Sequence, residues 1–258
     1  MLNNKLLKIT FLGTGTSMGI PIVGCSCDVC LSDDPKDKKL RSSVLLEIDG
    51  KNIIIDIGPD FRQQILKKPI SKLDGILITH HHRDHIAGLD DLRPLNFFMK
   101  DYIDIYCNDE TNNEILRVFE YIFKGTKNDV PKLNINVIEN NDFYIDNILI
   151  TPIKANHLYI DVIGYKILDF VYLTDVKTIS DKEIEKIKNC KILVINALRK
   201  KEHISHLSLD EALEVIKKVN PKQAYLTHIS HQMGKYTDVS KELPPNTYLA
   251  YDGLELFL

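Results

Sequence analysis

No run in this sequence stays apolar for the roughly 20 residues that a membrane-crossing helix needs, which excludes a helical membrane protein. The opening stretch Met1-Leu2-Asn3-Asn4-Lys5-Leu6-Leu7 lacks an apolar segment long enough for a secretory leader, and it has no small-residue cleavage site. A cytoplasmic location is therefore expected. A strong field of either sign is also missing. The net charge of −3 and pI near 6.3 give no general attraction to nucleic acid or anionic lipid, although they leave room for a local basic pocket. There is no low-complexity linker and no short-period repeat. The 258 residues are read as one domain spanning 1–258. At 44% hydrophobic and 27% charged they can bury a sizeable core. Cysteines are few: Cys25, Cys27, Cys30, Cys107 and Cys190. The first three crowd into one short stretch, which suits metal binding in a reducing compartment better than a disulfide frame.

What is present reads as short strands and helices interleaved. Lys8 to Leu12 forms a strand that breaks at Gly13-Thr14-Gly15-Thr16. Strands over 43–48 and 52–56 flank Asp49-Gly50, a strong hairpin signal. A short helix runs from Pro59 to Leu66, and a buried strand over 75–79 leads directly into a run of histidines. A helix over 86–98, interrupted by Pro94, and an amphipathic helix over 110–124 follow. Residues 134–173 read as successive hairpins. After them come a helix near 181–188, a strand at 192–195, a helix over 209–218, a strand at 223–226 and a closing hairpin near 247–257. This order fits a layered α/β sandwich with two sheets inside and helices outside.

The chemistry concentrates in His80-His81-His82-Arg83-Asp84-His85. Neutral imidazole and carboxylate are the ligands that borderline divalent ions prefer. A strand end is a rigid mount, and alternation sends His80 and His82 to one side and His81 to the other. Asp84 and His85, in the following turn, can reach a second ion. The run Thr79 to Leu89 resembles the HxHxDH signature of the metallo-β-lactamase superfamily. More narrowly, Leu12-Gly13-Thr14-Gly15-Thr16-Ser17-Met18-Gly19-Ile20-Pro21, Ile55-Asp56-Ile57-Gly58-Pro59-Asp60-Phe61-Arg62 and Gly88-Leu89-Asp90-Asp91-Leu92-Arg93-Pro94 resemble the PhnP-like phosphodiesterases. That group includes phosphoribosyl 1,2-cyclic phosphate phosphodiesterase.

The resemblance implies a four-layer αββα sandwich, the metallo-β-lactamase fold. It implies that His80, His82 and His157 hold one ion, that Asp84, His85 and His228 hold the other, and that Asp175 bridges them. Zinc or manganese suits this set, and nickel is compatible. Cys25, Cys27 and Cys30 suit a tetrahedral zinc that needs one more ligand, and the resemblance supplies His231. Closed four-ligand sites leave no position for substrate, so this zinc is read as structural. Ser208 and Glu211 have capping-box spacing, which sets His206 just ahead of a helix. The resemblance makes His206 the general acid, with His203 the second candidate, and Asp84 joins His206 as a catalytic residue. Asp56, at a strand end, reads as a carboxylate that orients a ligand histidine or loop. Asp91 and Arg93 are weaker candidates for substrate binding, and Arg93 could equally form a salt bridge. Cys107 and Cys190 read as packing residues.

The expected reaction is hydrolysis of a small or cyclic phosphodiester, phosphoribosyl cyclic phosphate being the substrate the resemblance suggests. Two divalent ions activate water and His206 protonates the leaving oxygen. An RNA 3′-end endonuclease of the same superfamily is the alternative. Against it stand the mildly acidic charge and the lack of a long basic arm. A catalytically silent metal-binding protein is a third reading, opposed by the full ligand set, and thioester or lactam hydrolysis would use the same ions. A nucleic-acid or membrane partner is not expected, and a homodimer is implied by resemblance alone.

Overall fold

The computed structural model describes residues 6–124 and 129–258. The opening residues 1–5 of the stretch read above for a leader lie outside the described residues. In the first half of the chain β1 (Leu7–Gly13) is followed by the hairpin of β2 (Ser43–Ile48) and β3 (Lys51–Ile55). After these come α1 (Phe61–Lys67), β4 (Gly75–Leu77), α2 (Arg83–Ile86), α3 (Arg93–Met99), β5 (Ile103–Cys107), α4 (Asp109–Val118), α5 (Glu120–Phe123) and β6 (Leu133–Val137). The second half contains β7 (Phe143–Ile145), β8 (Ile148–His157), β9 (Ile160–Ile167), β10 (Phe170–Leu173) and β11 (Thr178–Ile179). It ends with α6 (Asp181–Ile187), β12 (Ile192–Asn196), α7 (Leu209–Val219), β13 (Gln223–Thr227), α8 (Tyr236–Glu242), β14 (Thr247–Leu249) and β15 (Glu255–Phe257).

Two mixed sheets face each other and helices cover both outer faces, the expected αββα sandwich. One sheet has the order β15-β1-β2-β3-β4-β5-β6, and the other β11-β8-β9-β10-β12-β13-β14 with β7 added to β8. The layering follows from side-chain alternation. In β2, Val44, Leu46 and Ile48 enter the core between the sheets, where Tyr165, Ile167, Phe170 and Tyr172 meet them. Leu45 points the other way, under the helices with Ile54, Ile76 and Phe61. In β10, Phe170 and Tyr172 face the first sheet while Val171 and Leu173 face the core beneath α6 and α7. Strands buried on both faces carry continuous apolar runs, as at Ile53-Ile54-Ile55 and Ile192-Leu193-Val194-Ile195. The expected Asp49-Gly50 turn is present, both residues at positive φ (51° and 74°) as its two-residue geometry requires.

Three expectations are corrected. Residues 247–257 do not form a hairpin: β14 pairs in parallel with β13, and β15 pairs antiparallel with β1 in the other sheet. The chain crosses between sheets there. Residues 134–137 are likewise no hairpin strand, because β6 runs parallel to β5. Pro94 does not interrupt a helix but occupies the second position of α3, where a missing N–H costs nothing. The strand β5 was not anticipated, although the alternate burial of Ile103, Ile105 and Cys107 is a period-2 signal.

The strand ends converge. β4, β10, β12 and β13 all run toward the same edge of the sandwich, and the loops after them carry the candidate ligands. The turn after β3 is pressed against this region. Ile57 N–H donates to the His85 carbonyl at 2.8 Å, and a Cβ on Gly58 would lie 2.1 Å from the Asp84 carbonyl oxygen. Gly58→Ala is therefore expected to force a backbone shift and to cost about 1–3 kcal/mol, read from the urea midpoint. An unchanged midpoint would show that the turn accommodates a methyl group without a backbone shift.

Candidate metal centre

The motif begins two residues beyond β4, where Thr79 anchors it. Its backbone N–H and its hydroxyl both donate to Asp56, at 2.8 and 2.9 Å. Asp56 is fully buried at φ 62°, directly after β3, and also receives His85 Nδ1–H at 2.7 Å. With Nδ1 committed as donor, His85 Nε2 keeps its lone pair for a cation. That atom is buried without a hydrogen-bond partner, although Asp84 Oδ2 and Asp175 Oδ2 lie 3.1 and 3.3 Å away. The Thr79 hydroxyl, donating to Asp56, can accept from His80 Nδ1 at 3.1 Å, which frees His80 Nε2. His82 Nδ1 lies 3.0 Å from that Nε2, so two ring nitrogens converge on one point. His81 turns away, its Nδ1 4.0 Å from Glu110, as alternation requires.

The second half of the chain completes both groups. His157 is the last residue of β8, and its Nδ1–H donates to the Ser205 carbonyl at 2.6 Å. Asp175 and His228 follow β10 and β13 in left-handed backbone conformations, φ 57° and 53°. Such a conformation costs a non-glycine residue energy and aims its side chain off the strand direction. His228 Nδ1 meets Ser42 Oγ at 3.3 Å, and its Nε2 lies 3.1 Å from Asp175 Oδ1. Ligand atoms of His80, His82 and His157 gather within 4.8 Å of one another, as do those of Asp84, His85 and His228. Asp175 stands within the same limit of His80 from the first group and His85 from the second.

Charge supports the fit. Burial works against the Asp84 and Asp175 carboxylates, yet neighbouring imidazoles hold both well below the usual carboxylate range: His85 for Asp84, and His228 with His85 for Asp175. Burial disfavours a charged His85, but Asp84, Asp56 and Asp175 outweigh it and raise its pKa well above the ordinary value. A buried cluster that raises a fully enclosed imidazole in this way is one that attracts cations. The donor set therefore suits two divalent ions.

His206 lies on the same cluster. Its ring centroid is 4.4 Å from that of His157 and 5.1 Å from that of His228, and its Nδ1 is 3.6 Å from Asp175 Oδ1. Burial lowers its pKa to about 3 despite the opposing pull of Asp175. His203 sits behind it, 5.2 Å from ring to ring. Both border a cavity of about 280 Å³ that Thr16, Ser17, Arg199 and Gln232 also line. Asp91 is half-buried and joins none of the ligand groups. Arg93 is exposed and pairs with Asp129 at 3.3 Å, the salt-bridge alternative.

The cysteines gather around His231. Its Nδ1 lies 3.4, 3.3 and 3.7 Å from the sulfurs of Cys25, Cys27 and Cys30. A hydrogen bond from the Cys30 backbone lowers the Cys27 thiol to about 6, which favours the metal-binding thiolate. Ile22 N–H reaches Cys30 Sγ at 3.4 Å. The group suits one further metal ion. Cys107 and Cys190 are packed in the two outer cores, where burial pushes both thiols up to about 12. Contacts that sequence reasoning missed are Thr79, Ser42 and the Ser205 carbonyl.

Comparison with known proteins agrees with this geometry. Residues 51–229 match the family model of the beta-lactamase superfamily domain. The crystal structure of a diphosphatase from the PhnP family superposes with a TM-score of 0.93 at 37% identity, covering 98% of this chain and 97% of that one. The chain belongs to the PhnP family. Its His/Asp clusters suit a paired metal site, and its Cys/His cluster one further metal. An octanoyltransferase of Porphyromonas gingivalis is 38% identical over 256 residues, 98% of this chain and 52% of that protein. The chain thus spans about half the length of this relative. Zinc-bound PqqB from Methylobacterium extorquens shares the fold, with a TM-score of 0.78 at 18% identity over 97% of this chain and all of the other. Among the described residues no helix is long and apolar enough to cross a membrane.

Two outcomes follow for metal content. Metal-saturated protein should carry three ions per chain by elemental analysis, and a plateau near one would remove the paired site. Cys27→Ser should carry one ion fewer and melt at a lower temperature, because metal binding at such a site adds to folding free energy. Retention of all metal and of the melting temperature would exclude Cys27 as a ligand.

Proposed function

We propose that this PhnP-family chain hydrolyses a small phosphodiester, cyclic or open, with two ions at the His/Asp cluster and His206 as general acid. The observation that carries the reading is the position of His206. It stands over Asp175, between His157 and His228, on the wall of a cavity large enough for a small ligand. The PhnP-family relative named a diphosphatase supports a phosphorus centre as the point of attack, since a diphosphate also joins phosphorus to two groups through oxygen. Bound at this cluster, two divalent ions would supply Lewis acidity and bring the pKa of water toward neutrality.

The chain's own residues do the rest. Asp56, Thr79, Ser205 and Ser42 hold four of the imidazoles at Nδ1, which turns their Nε2 atoms toward the two ligand groups. Asp175 faces His206 Nδ1, which leaves Nε2 for the cavity side. Burial keeps His206 neutral in the free cluster. A bound phosphodiester anion favours the imidazolium, and the proton is then held beside the oxygen that leaves. Arg199 and the hydroxyls of Thr16 and Ser17 can position the departing portion of the substrate.

The test compares leaving groups. His206→Ala should leave metal content unchanged and lower kcat by roughly 10²–10⁴ on a diester with an alkoxide leaving group. The loss should shrink on an activated aryl diester, whose leaving group needs little protonation. Equal losses on both would assign His206 to positioning, and loss of metal would make it a ligand. A wider panel of cyclic diesters, diphosphates, monoesters, a thioester and a β-lactam fixes the substrate class. Turnover of the last two alone would overturn the phosphorus reading.

A further inference from the structure

Lys39 is buried and Asp252 half-buried behind the turn Gly13-Thr14-Gly15-Thr16 that follows β1. Neither takes part in the proposed chemistry, and a buried ammonium is costly unless it is paired and hydrogen-bonded. Lys39 Nζ donates to the Ala250 carbonyl at 3.1 Å and reaches Thr14 Oγ1 at 3.5 Å. Thr14 Oγ1 in turn donates to Asp252 Oδ1 at 2.8 Å, while Asp252 Oδ2 accepts the Leu40 N–H at 2.7 Å. One ammonium and one carboxylate, joined through a hydroxyl, thus tie together the turn after β1, residues 39–42 and residues 250–252. Burial lowers Lys39 to about 8 and raises Asp252 to about 6.

What this knot holds is the seat of His228. Gly15 N–H donates to the Leu40 carbonyl at 2.7 Å, and Ser42 Oγ donates to the Gly15 carbonyl at 3.0 Å. Ile229 N–H donates to the Thr14 carbonyl at 3.0 Å, and Thr16 N–H to the Ile229 carbonyl at 3.1 Å. From this frame Ser42 Oγ meets His228 Nδ1 at 3.3 Å and Thr16 Oγ1 meets Nε2 at 3.2 Å. His228 keeps φ 53°, which a non-glycine residue holds only where its surroundings impose it. There is no slack, since a Cβ on Gly15 would stand 3.0 Å from the Leu40 and Lys39 carbonyl oxygens.

We propose that Lys39 and Asp252 are positioning residues for the catalytic centre: through Thr14 they fix the turn that seats His228, and so set the affinity for the ion assigned to Asp84, His85 and His228. The inference rests on the paired-ion reading above and concerns one ion of the pair. An apolar pair could fill the same space. It could not fix the direction of the Thr14 hydroxyl, which faces an ammonium on one side and gives its proton to a carboxylate on the other. A buried polar network of this kind favours a single arrangement, because any member left without its partner is costly in the interior.

The experiment titrates metal-free protein with cobalt(II). Thiolate charge-transfer absorption reports the cysteine site, visible d–d bands report the His/carboxylate sites, and calorimetry supplies the dissociation constants. Asp252→Asn and Thr14→Val should weaken one His/carboxylate site by about 10-fold, the lower end of the cost of losing a partner that touches a ligand directly. The other His/carboxylate site and the cysteine site should keep wild-type affinity, and Thr14→Ser, which retains the hydroxyl, should restore the weakened one. Unchanged affinities in the folded variants would overturn the proposal. Equal weakening of all three sites would also overturn it, since that is general loss of stability. If Asp252→Asn does not fold, Thr14→Val carries the same test with both charges in place. Wild-type protein that binds no second ion at the His/carboxylate cluster would overturn the paired-ion reading itself, whatever the variants do.

Discussion

The centre depends on a carboxylate that belongs to none of the ligand groups. Asp56 is fully buried and accepts the Thr79 N–H, the Thr79 hydroxyl and His85 Nδ1–H. Removing it would leave three donors unsatisfied in the interior, each at about 1–3 kcal/mol. Its reach extends to both ion positions: it fixes His85 directly, and through the Thr79 hydroxyl it fixes His80. One side chain on a strand end thereby sets the ring orientation of a histidine in each group.

The same logic repeats at His157 and His228, with partners drawn from elsewhere in the chain. His157 gives its Nδ1 proton to the Ser205 carbonyl, and His228 faces the Ser42 hydroxyl. Four of the five candidate ligand histidines have Nδ1 on a protein partner, and at His228 the Nε2 also meets Thr16 Oγ1 at 3.2 Å. His82 is the exception, because its Nδ1 faces His80 Nε2. The cluster is preorganised by contacts from several segments, and Ser42 on His228 joins the two sheets, so its geometry is not a property of the HxHxDH loop alone.

The HxHxDH run was legible because its ligands are contiguous and alternation orders them. The hairpin of β2 and β3 was legible because Asp-Gly at a two-residue turn is a local signal. His157, Asp175 and His228 stand alone in sequence and were assigned only through family resemblance. Ser42 and the Ser205 carbonyl had no legible signal, since one is an ordinary serine and the other a main-chain atom. The crossing between β14 and β15 was misread as a hairpin because two short apolar runs around Gly253 look alike whether they pair with each other or join different sheets. Strand partners at that distance are chosen by the packing of the two sheets, which local patterning does not record.

The loop after β13 links the two kinds of metal site. His228 faces the His/Asp ligand cluster, and His231, three residues on, faces the three cysteines. Between them the backbone is held at Ile229 by the turn after β1 and at Ser230 by the Leu198 carbonyl. That turn leads on through Gly19 to Cys25, so the two segments that meet at His228 meet again at His231. A metal ion joining Cys25, Cys27, Cys30 and His231 would close this second junction covalently. It would restrict the same two segments that set the position of His228, without presenting an open coordination position to substrate. A clamp of this kind would act on the frame that seats His228 through the shared loop 228–231.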